Sequence, residues 1–257
     1  MDREREPLPT HVRDTPTLPT AYHDALRRGL GALDLDLDDA GRMAIDGHVR
    51  LLLAWTDAIN LTAIREPAHV ALGHVIDSLS AVAWLREHGV DRLLDLGSGG
   101  GFPGVPIAAA IPSIRVVLLE PIVKKARFLA TSADATGLAP RVTVVTARAE
   151  TVARDRRQRG RWPAVSARAV GTLADLVELA FPLLAVSGAL VAWKRGDIDV
   201  ELEAARRAID ALGGGSLDVY EVPIHGLVGH RLVVATRAGR VPDAFPRGPA
   251  VRRRRPW

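Results

Sequence analysis

The sequence predicts an α/β fold: a mostly parallel sheet, ending in an antiparallel hairpin and preceded by a helical N-terminal extension. Three observations predict it. From about residue 92, five Val- and Leu-rich runs alternate with helical stretches, the pattern of parallel strands buried on both faces. The last two strand-like runs are joined by a short glycine loop instead of a helix. The first 90 residues keep the 3.6 period of helices.

Taken in order, residues 1–20 carry Pro7, Pro9, Pro16 and Pro19 among charges and predict a disordered or loosely held arm. Residues 21–90 form the extension. Asp38 or Asp39 can cap a helix with Ile45, Val49, Leu52 and Ile59 on one face. A second helix runs from Pro67 to Glu87, with Leu72, Ile76, Leu79 and Ala83 aligned and Pro67 suited to its first turn. The sheet domain spans 91–238. Its parallel strands are RLLDLG (92–97), RVVLLE (115–120), VTVVTA (142–147), AVSARA (164–169) and GALVAWK (188–194). Helices are expected near 104–111, 123–137, 173–184 and 199–212. LDVYEVPI (217–224) and HRLVVATR (230–237) make the hairpin, and residues 239–257 form a basic tail.

Composition narrows the function. A chain of 257 residues, 47% hydrophobic and 25% charged, suits one sizeable core. Without cysteine there is no disulfide framework, Cys-bound metal or thiol nucleophile. No apolar run reaches the roughly 18 residues of a membrane span, and the charged N-terminus lacks a signal-like apolar region. A cytoplasmic protein with no membrane and no metal partner is expected. The net charge is +4. Arginines cluster at 154–161 and at 252–255. Such patches suit a polyanion; they also suit a solvated loop and tail in an arginine-rich composition.

The stretch DLGSGGGFPG, Asp95 to Gly104, can be phased two ways. Gly99, Gly101 and Gly104 fit the dinucleotide pattern G-x-G-x-x-G. Counted from Asp95, the same stretch fits D-x-G-x-G-x-G, a loop for S-adenosylmethionine. A dinucleotide loop usually keeps the strand end apolar, whereas Asp95 is an acid placed to order the loop and meet a cationic methionine moiety. Pro103 and Pro106 remove N–H groups that would cradle a pyrophosphate. The second phasing is favoured, in a Rossmann-like sheet that binds ligands where strand order reverses. Glu120, ending the second strand, stands where an acid holds ribose hydroxyls in either cofactor class. After the third strand, Glu150 can accept from an adenine amine and Ala149 offers a backbone N–H; equally, Glu150 suits a helix N-terminus.

Several segments together resemble the RsmG (GidB) family of bacterial small-subunit rRNA methyltransferases, which methylate N7 of a guanine near the decoding centre. They are Asn60-Leu61-Thr62-Ala63-Ile64, His74-Val75-Ile76-Asp77-Ser78-Leu79, DLGSGGGFPGVPIA, LLEPIVKKARFL, Ser166 to Ala169 and Trp193-Lys194. The resemblance spans about residues 40–237 and implies a class I methyltransferase fold, S-adenosyl-L-methionine as cofactor, and 16S rRNA or a small-subunit ribonucleoprotein as partner. Cofactor contacts then fall on Gly97, Phe102, Ala149, Glu150 and Arg168, with Glu120 at the ribose. Arg168, Lys194 and Arg148 become the catalytic candidates. Asn60, His74 and Asp77 become substrate-side candidates. The chain departs from the family pattern at Ser166-Ala167-Arg168-Ala169 and at Lys194-Arg195-Gly196.

The chemistry is compatible. Pyrimidine C5 methylation through a covalent adduct needs a cysteine. Amino methylation usually uses an acidic Pro-Pro-Tyr-like loop where this chain has Ser166-Ala167-Arg168-Ala169. Guanine N7 carries a lone pair and no proton, so alignment suffices. Other readings stay open residue by residue. His74 and Asp77, three apart, share a helix face and either bond each other or shape the pocket. Asn60 caps a helix or reaches the base. Lys194 is a solvated strand end or a phosphate contact. For the whole chain, the alternatives are a methyltransferase of a small molecule or protein, and a non-catalytic dinucleotide- or RNA-binding module.

Overall fold

A computed structural model describes residues 7–169, 171–222 and 224–257. The expected fold class is present. The described residues contain one seven-stranded sheet, ordered β3-β2-β1-β4-β5-β7-β6. Its strands are β1 Arg92–Leu96, β2 Arg115–Leu119, β3 Val142–Val145, β4 Trp162–Arg168, β5 Leu184–Arg195, β6 Gly215–Glu221 and β7 His230–Arg237. β1 to β5 pair in parallel, and β7 inserts antiparallel between β5 and β6. Strand order reverses at β1, whose neighbours are β2 and β4.

Alternating residues divide the core. Leu93, Val116, Val191 and Val234 face one layer, whereas Leu94, Val165, Leu190 and Val233 face the other. The first layer holds the extension, α1 Thr20–Ala32 and α2 Asp39–Ile59, with α3 Pro67–Val70, α4 Asp77–Leu79, α5 Val82–Glu87, α6 Gly104–Ala110 and α7 Val123–Ala135. The second holds α8 Ala149–Arg154, α9 Leu173–Ala180 and α10 Asp199–Ala211. The helix α11, Pro249–Arg254, follows the hairpin.

Local chemistry sets the helix ends. Asp38 caps α2, its carboxylate accepting from Gly41 N–H (2.6 Å), and Asn60 ends that helix in the left-handed region (φ 52°). Asn60 is thereby an exposed helix terminator. Glu66 accepts from Ala68 and His69 N–H ahead of Pro67 at the first turn of α3.

Two sequence expectations need correction. The predicted helix Pro67–Glu87 is interrupted: Ala71–Ile76 winds as a π-helix between α3 and α4. By length and mean hydropathy Pro67–Glu87 could cross a membrane, although no uninterrupted apolar run in it is that long; 56% of its most apolar window is buried within the protein, and it carries the ion-paired Asp77. The second correction is the arm. Its first six residues lie outside the described residues, as does Pro223 in the predicted sixth strand. From Pro7 onward the arm is held against α2. Trp55 Nε1 donates to Pro9 O (2.8 Å), and Arg50 donates to Val12, Thr15 and Pro16 carbonyls. Proline richness predicted looseness; the side chains that pin the arm lie some 40 residues away.

Candidate active site

A cavity of about 660 Å³ opens at the carboxyl ends of β1, β2, β4 and β5, beside the strand-order reversal. One wall is the glycine loop. Gly97, Gly99 and Gly101 all have positive φ (69°, 55° and 96°). Gly99 and Gly101 belong to both phasings; the left-handed Gly97 is a glycine that D-x-G-x-G-x-G includes and the dinucleotide pattern does not. A Cβ on Gly101 would stand 2.6 Å from His48 Cε1. His48, buried in α2, backs the loop: its Nε2 pairs with Gly100 O (2.9 Å) and its Nδ1 with Ser132 Oγ (2.7 Å). Arranged so, Nε2–H donates to Gly100 and Nδ1 accepts from the serine. Burial lowers the His48 pKa to about 4, so the ring is neutral.

Two buried carboxylates hold the loop. Glu120 accepts from Gly99 N–H (2.9 Å) on Oε2 and from Ile122 N–H (2.8 Å) on Oε1, at the cavity wall. Asp95 is fully buried, accepting from Ser166 Oγ (2.8 Å) and Gly104 N–H (3.3 Å). Burial pushes its pKa up to about 6, against those hydrogen bonds. Asp95 therefore orders the loop, as expected, from beneath it, and is not among the residues that line the cavity.

The opposite wall is built from side chains. Arg168, at the end of β4, donates from Nη1 to Asp77 Oδ2 (3.1 Å) and Gly73 O (2.9 Å). Its Nη2 lies 2.9 Å from His74 Nδ1, which therefore accepts, leaving His74 Nε2–H to donate to Thr62 Oγ1 (2.6 Å). Burial and the Arg168 charge lower the His74 pKa to about 4. The π-turn sets His74 and Asp77 on the same guanidinium instead of on each other. Phe102 stacks on His74 (centroids 4.8 Å) with Arg168 over its ring (5.4 Å), which ties the two walls together.

Asp77 is 3% exposed and is bound on three sides. Besides Arg168, its Oδ1 accepts from His230 Nδ1 (2.9 Å), and its carbonyl accepts from the Trp193 indole (2.7 Å). Sequence reasoning missed His230 and Trp193 as site residues. Lys125 and the exposed Arg195 also line the cavity and were not singled out. Lys125 sits inside the quoted LLEPIVKKARFL segment, which was the available signal for it.

Of the remaining candidates, Gly97, Phe102, Glu120, His74, Asp77, Arg168 and Lys194 all line the cavity. Lys194 is already engaged: its Nζ donates to Gly171 O (2.9 Å) and pairs with Glu201 (2.5 Å). Arg148, Ala149, Glu150 and Asn60 are not among the lining residues. Arg148 is exposed at the start of α8, and Glu150 is held by Arg252 of the tail (2.6 Å). Among the described residues no group of three or more His, Asp or Glu side chains could hold a metal ion.

The chain is similar to proteins already known. A family model described as GidB, rRNA small subunit methyltransferase G, matches residues 43–225. A ribosomal RNA small subunit methyltransferase G of Roseiflexus sp. (strain RS-1) is 43% identical over 206 residues, covering 80% of this chain and 87% of the relative. Its counterpart in Dehalococcoides mccartyi (strain CBDB1) is 38% identical over 221 residues, covering 85% and 93%. Among solved structures, an O-methyltransferase from Bacillus cereus in complex with SAH superposes with a TM-score of 0.56 at 16% identity. That match covers 75% of this chain and 91% of the other, and it speaks to the fold alone.

Proposed function

The chain belongs to the GidB family, rRNA small subunit methyltransferase G, and on that premise we propose that it methylates N7 of a guanine in 16S rRNA, using S-adenosyl-L-methionine. The observation that carries the reading is the two-walled cavity. A backbone-built loop with a buried acid beside it suits a nucleoside cofactor. A wall of guanidinium and imidazole groups facing it suits a nucleic-acid substrate.

The residues present fit the cofactor. Gly97 and Gly99 bring bare backbone to the cavity at positive φ, where a side chain would be strained. Glu120 has spent one lone pair of each oxygen on backbone N–H groups and keeps the others for two ribose hydroxyls. Ala149 and Glu150 are assigned to the adenine edge on the family pattern. Because Arg252 holds the Glu150 carboxylate, the backbone of Ala149 is the part of that pair we favour.

The cofactor supplies an electrophilic methyl group on sulfonium sulfur. The chain supplies position. Guanine N7 attacks with its lone pair and loses no proton, so no base is required. The site agrees: both His74 nitrogens are engaged and its lowered pKa keeps the ring neutral at pH 7. Arg168, fixed by Asp77 and His74, presents a rigid cation to the substrate side, with Lys194 beside it. A guanidinium there can hold a phosphate or the guanine O6 while Phe102 closes the cavity floor. Arg148 and Asn60 lie outside the cavity, and their reach is to flanking RNA.

The test is mass mapping of 16S rRNA from a strain lacking the gene, with small subunits from that strain then offered to the purified protein and labelled cofactor. One 7-methylguanosine is expected to disappear and to return in vitro. An undiminished 7-methylguanosine content overturns the assignment, and transfer to a small molecule or protein in the absence of RNA favours the alternative substrate class.

A further inference from the structure

The two arginine clusters of the sequence have different fates. Cluster 154–161 lies between the end of α8 and the start of β4, where Gly160 and Arg161 N–H groups bond to Pro182 and Leu183 carbonyls ahead of β5. That is the amino end of the parallel strands, opposite the cavity. Arg154 and Arg159 are spent there on tail carbonyls, of Pro246 and Phe245.

The C-terminal cluster is docked on the helices that follow β3 and β4. The tail is anchored first by Arg247, which forks onto the fully buried Glu178 (2.6 Å), with the Trp257 indole donating to the same carboxylate (2.8 Å). Arg247 also lies over the Trp257 ring (4.4 Å). Arg252 then bridges Glu150 (2.6 Å) and Asp175 (3.5 Å). Both acids lie in first turns, of α8 and α9, and those helices begin at the carboxyl ends of β3 and β4. Arg252 thereby holds α11 against the first turns of α8 and α9, on the cavity side, while Arg247 Nη1 donates to Arg255 O (2.9 Å) and ties the end of the helix back to the Glu178 anchor. Arg247 and Arg252 are neutralised inward, while Arg253, Arg254 and Arg255 are exposed and form no ion pair among the described residues. Arg148, exposed two residues before Glu150, extends the same surface.

We propose that the docked tail is an RNA-backbone contact, in which Arg253, Arg254 and Arg255 hold phosphates flanking the nucleotide in the cavity. This rests on the reading of the chain as an rRNA methyltransferase. The tail arginines lie beyond residue 225, where the family match ends. Arginine forks suit phosphate oxygens, and a contact of this kind is read by salt. Each phosphate neutralised adds about 0.7–0.9 to the slope of log affinity against log salt concentration.

The experiment measures binding of transcribed 16S rRNA, and of small subunits from the deletion strain, across a salt series. It compares the intact chain with the triple variant Arg253→Ser/Arg254→Ser/Arg255→Ser. Anchors Arg247, Arg252 and Trp257 are kept, and an unchanged melting curve and unchanged S-adenosylhomocysteine affinity verify that the tail stays docked. The expected result is a slope shallower by about 2 and binding weakened by roughly tenfold or more in 0.1 M salt. Arg156→Ser/Arg157→Ser/Arg161→Ser, at the opposite end, is expected to leave the slope in place. An unchanged slope in the tail variant overturns the proposal, as does an equal loss in the opposite-end variant, which would make charge matter and location not. Weakening confined to the intact subunit, with an unchanged slope on free RNA, would assign the tail to a ribosomal protein and overturn it too. If the intact chain itself neither binds nor methylates the RNA, the functional reading fails instead.

Discussion

The two walls of the cavity are built on opposite plans. The glycine-loop wall is made of backbone from a single strand-turn-helix unit, and its acids, Asp95 and Glu120, fix that backbone by accepting from its N–H groups. The Arg168 wall is made of side chains from segments far apart: Arg168 and His74 are 94 residues apart in the chain, His230 and Asp77 are 153. One wall is a shape that the local sequence imposes. The other is an electrostatic assembly that exists only when the whole fold is formed. The first should tolerate changes of charge better than changes of shape; the second should behave in the reverse way.

The largest effect is expected at Asp77. Asp77→Ala leaves Arg168 and His230 beside a void with no counter-charge, a change that typically costs about 3–5 kcal/mol. Urea unfolding should show that loss together with abolished methyl transfer. A variant that stayed within about 1 kcal/mol of the parent would mean the far wall is not held by this ion pair.

Next is the support behind the loop. The folded-state pKa of His48 is depressed from 6.5 to about 4. Its contribution is thus fully present above pH 6.5 and is lost as pH falls towards 4, by about 3 kcal/mol. His48→Gln can keep both hydrogen bonds without titrating. Unfolding curves of parent and variant should diverge below pH 6.5, with the parent losing more. Parallel curves down to pH 4 would show that His48 is not held neutral.

The smallest effect belongs to Glu120. Glu120→Gln turns one acceptor oxygen into a donor that faces a backbone N–H and weakens the pair of ribose contacts. Calorimetry should show S-adenosylhomocysteine binding weakened by about tenfold, the scale of one charged hydrogen bond, with the Arg168 wall undisturbed. Equal affinity would remove Glu120 from the cofactor side and blur the distinction between the walls.

This contrast also explains what could be read from the sequence. Strands and sheet-domain helices were legible because periodicity and turn residues are local. The loop was legible down to its phase, since Asp95 and the alternate glycines lie within ten residues. Arg168, His74 and Asp77 entered through the family resemblance, and only the fold shows that they meet. Nothing local marks His230, which opens a strand like any other, and Trp193, though part of the resemblance, gave no sign that its indole reaches Asp77 O. Lys194 looked like a free cation because its partners, Glu201 and Gly171 O, lie on a helix and a loop beyond its own strand. The π-turn at Ala71–Ile76 was invisible because the apolar pattern around it is equally good for an unbroken helix.

The Trp193 and His230 contacts to Asp77 have a further consequence, for how the chain is made. Asp77 leaves the ribosome before every group that binds its carboxylate or carbonyl across the fold. Its partners follow 91 residues later from β4, then 116 and 153 residues later from β5 and β7. The nascent N-terminal helices therefore cannot close over that position ahead of the sheet. The site is finished only once β7 has been made, and a chain stopped before His230 would lack the group that meets Asp77 Oδ1.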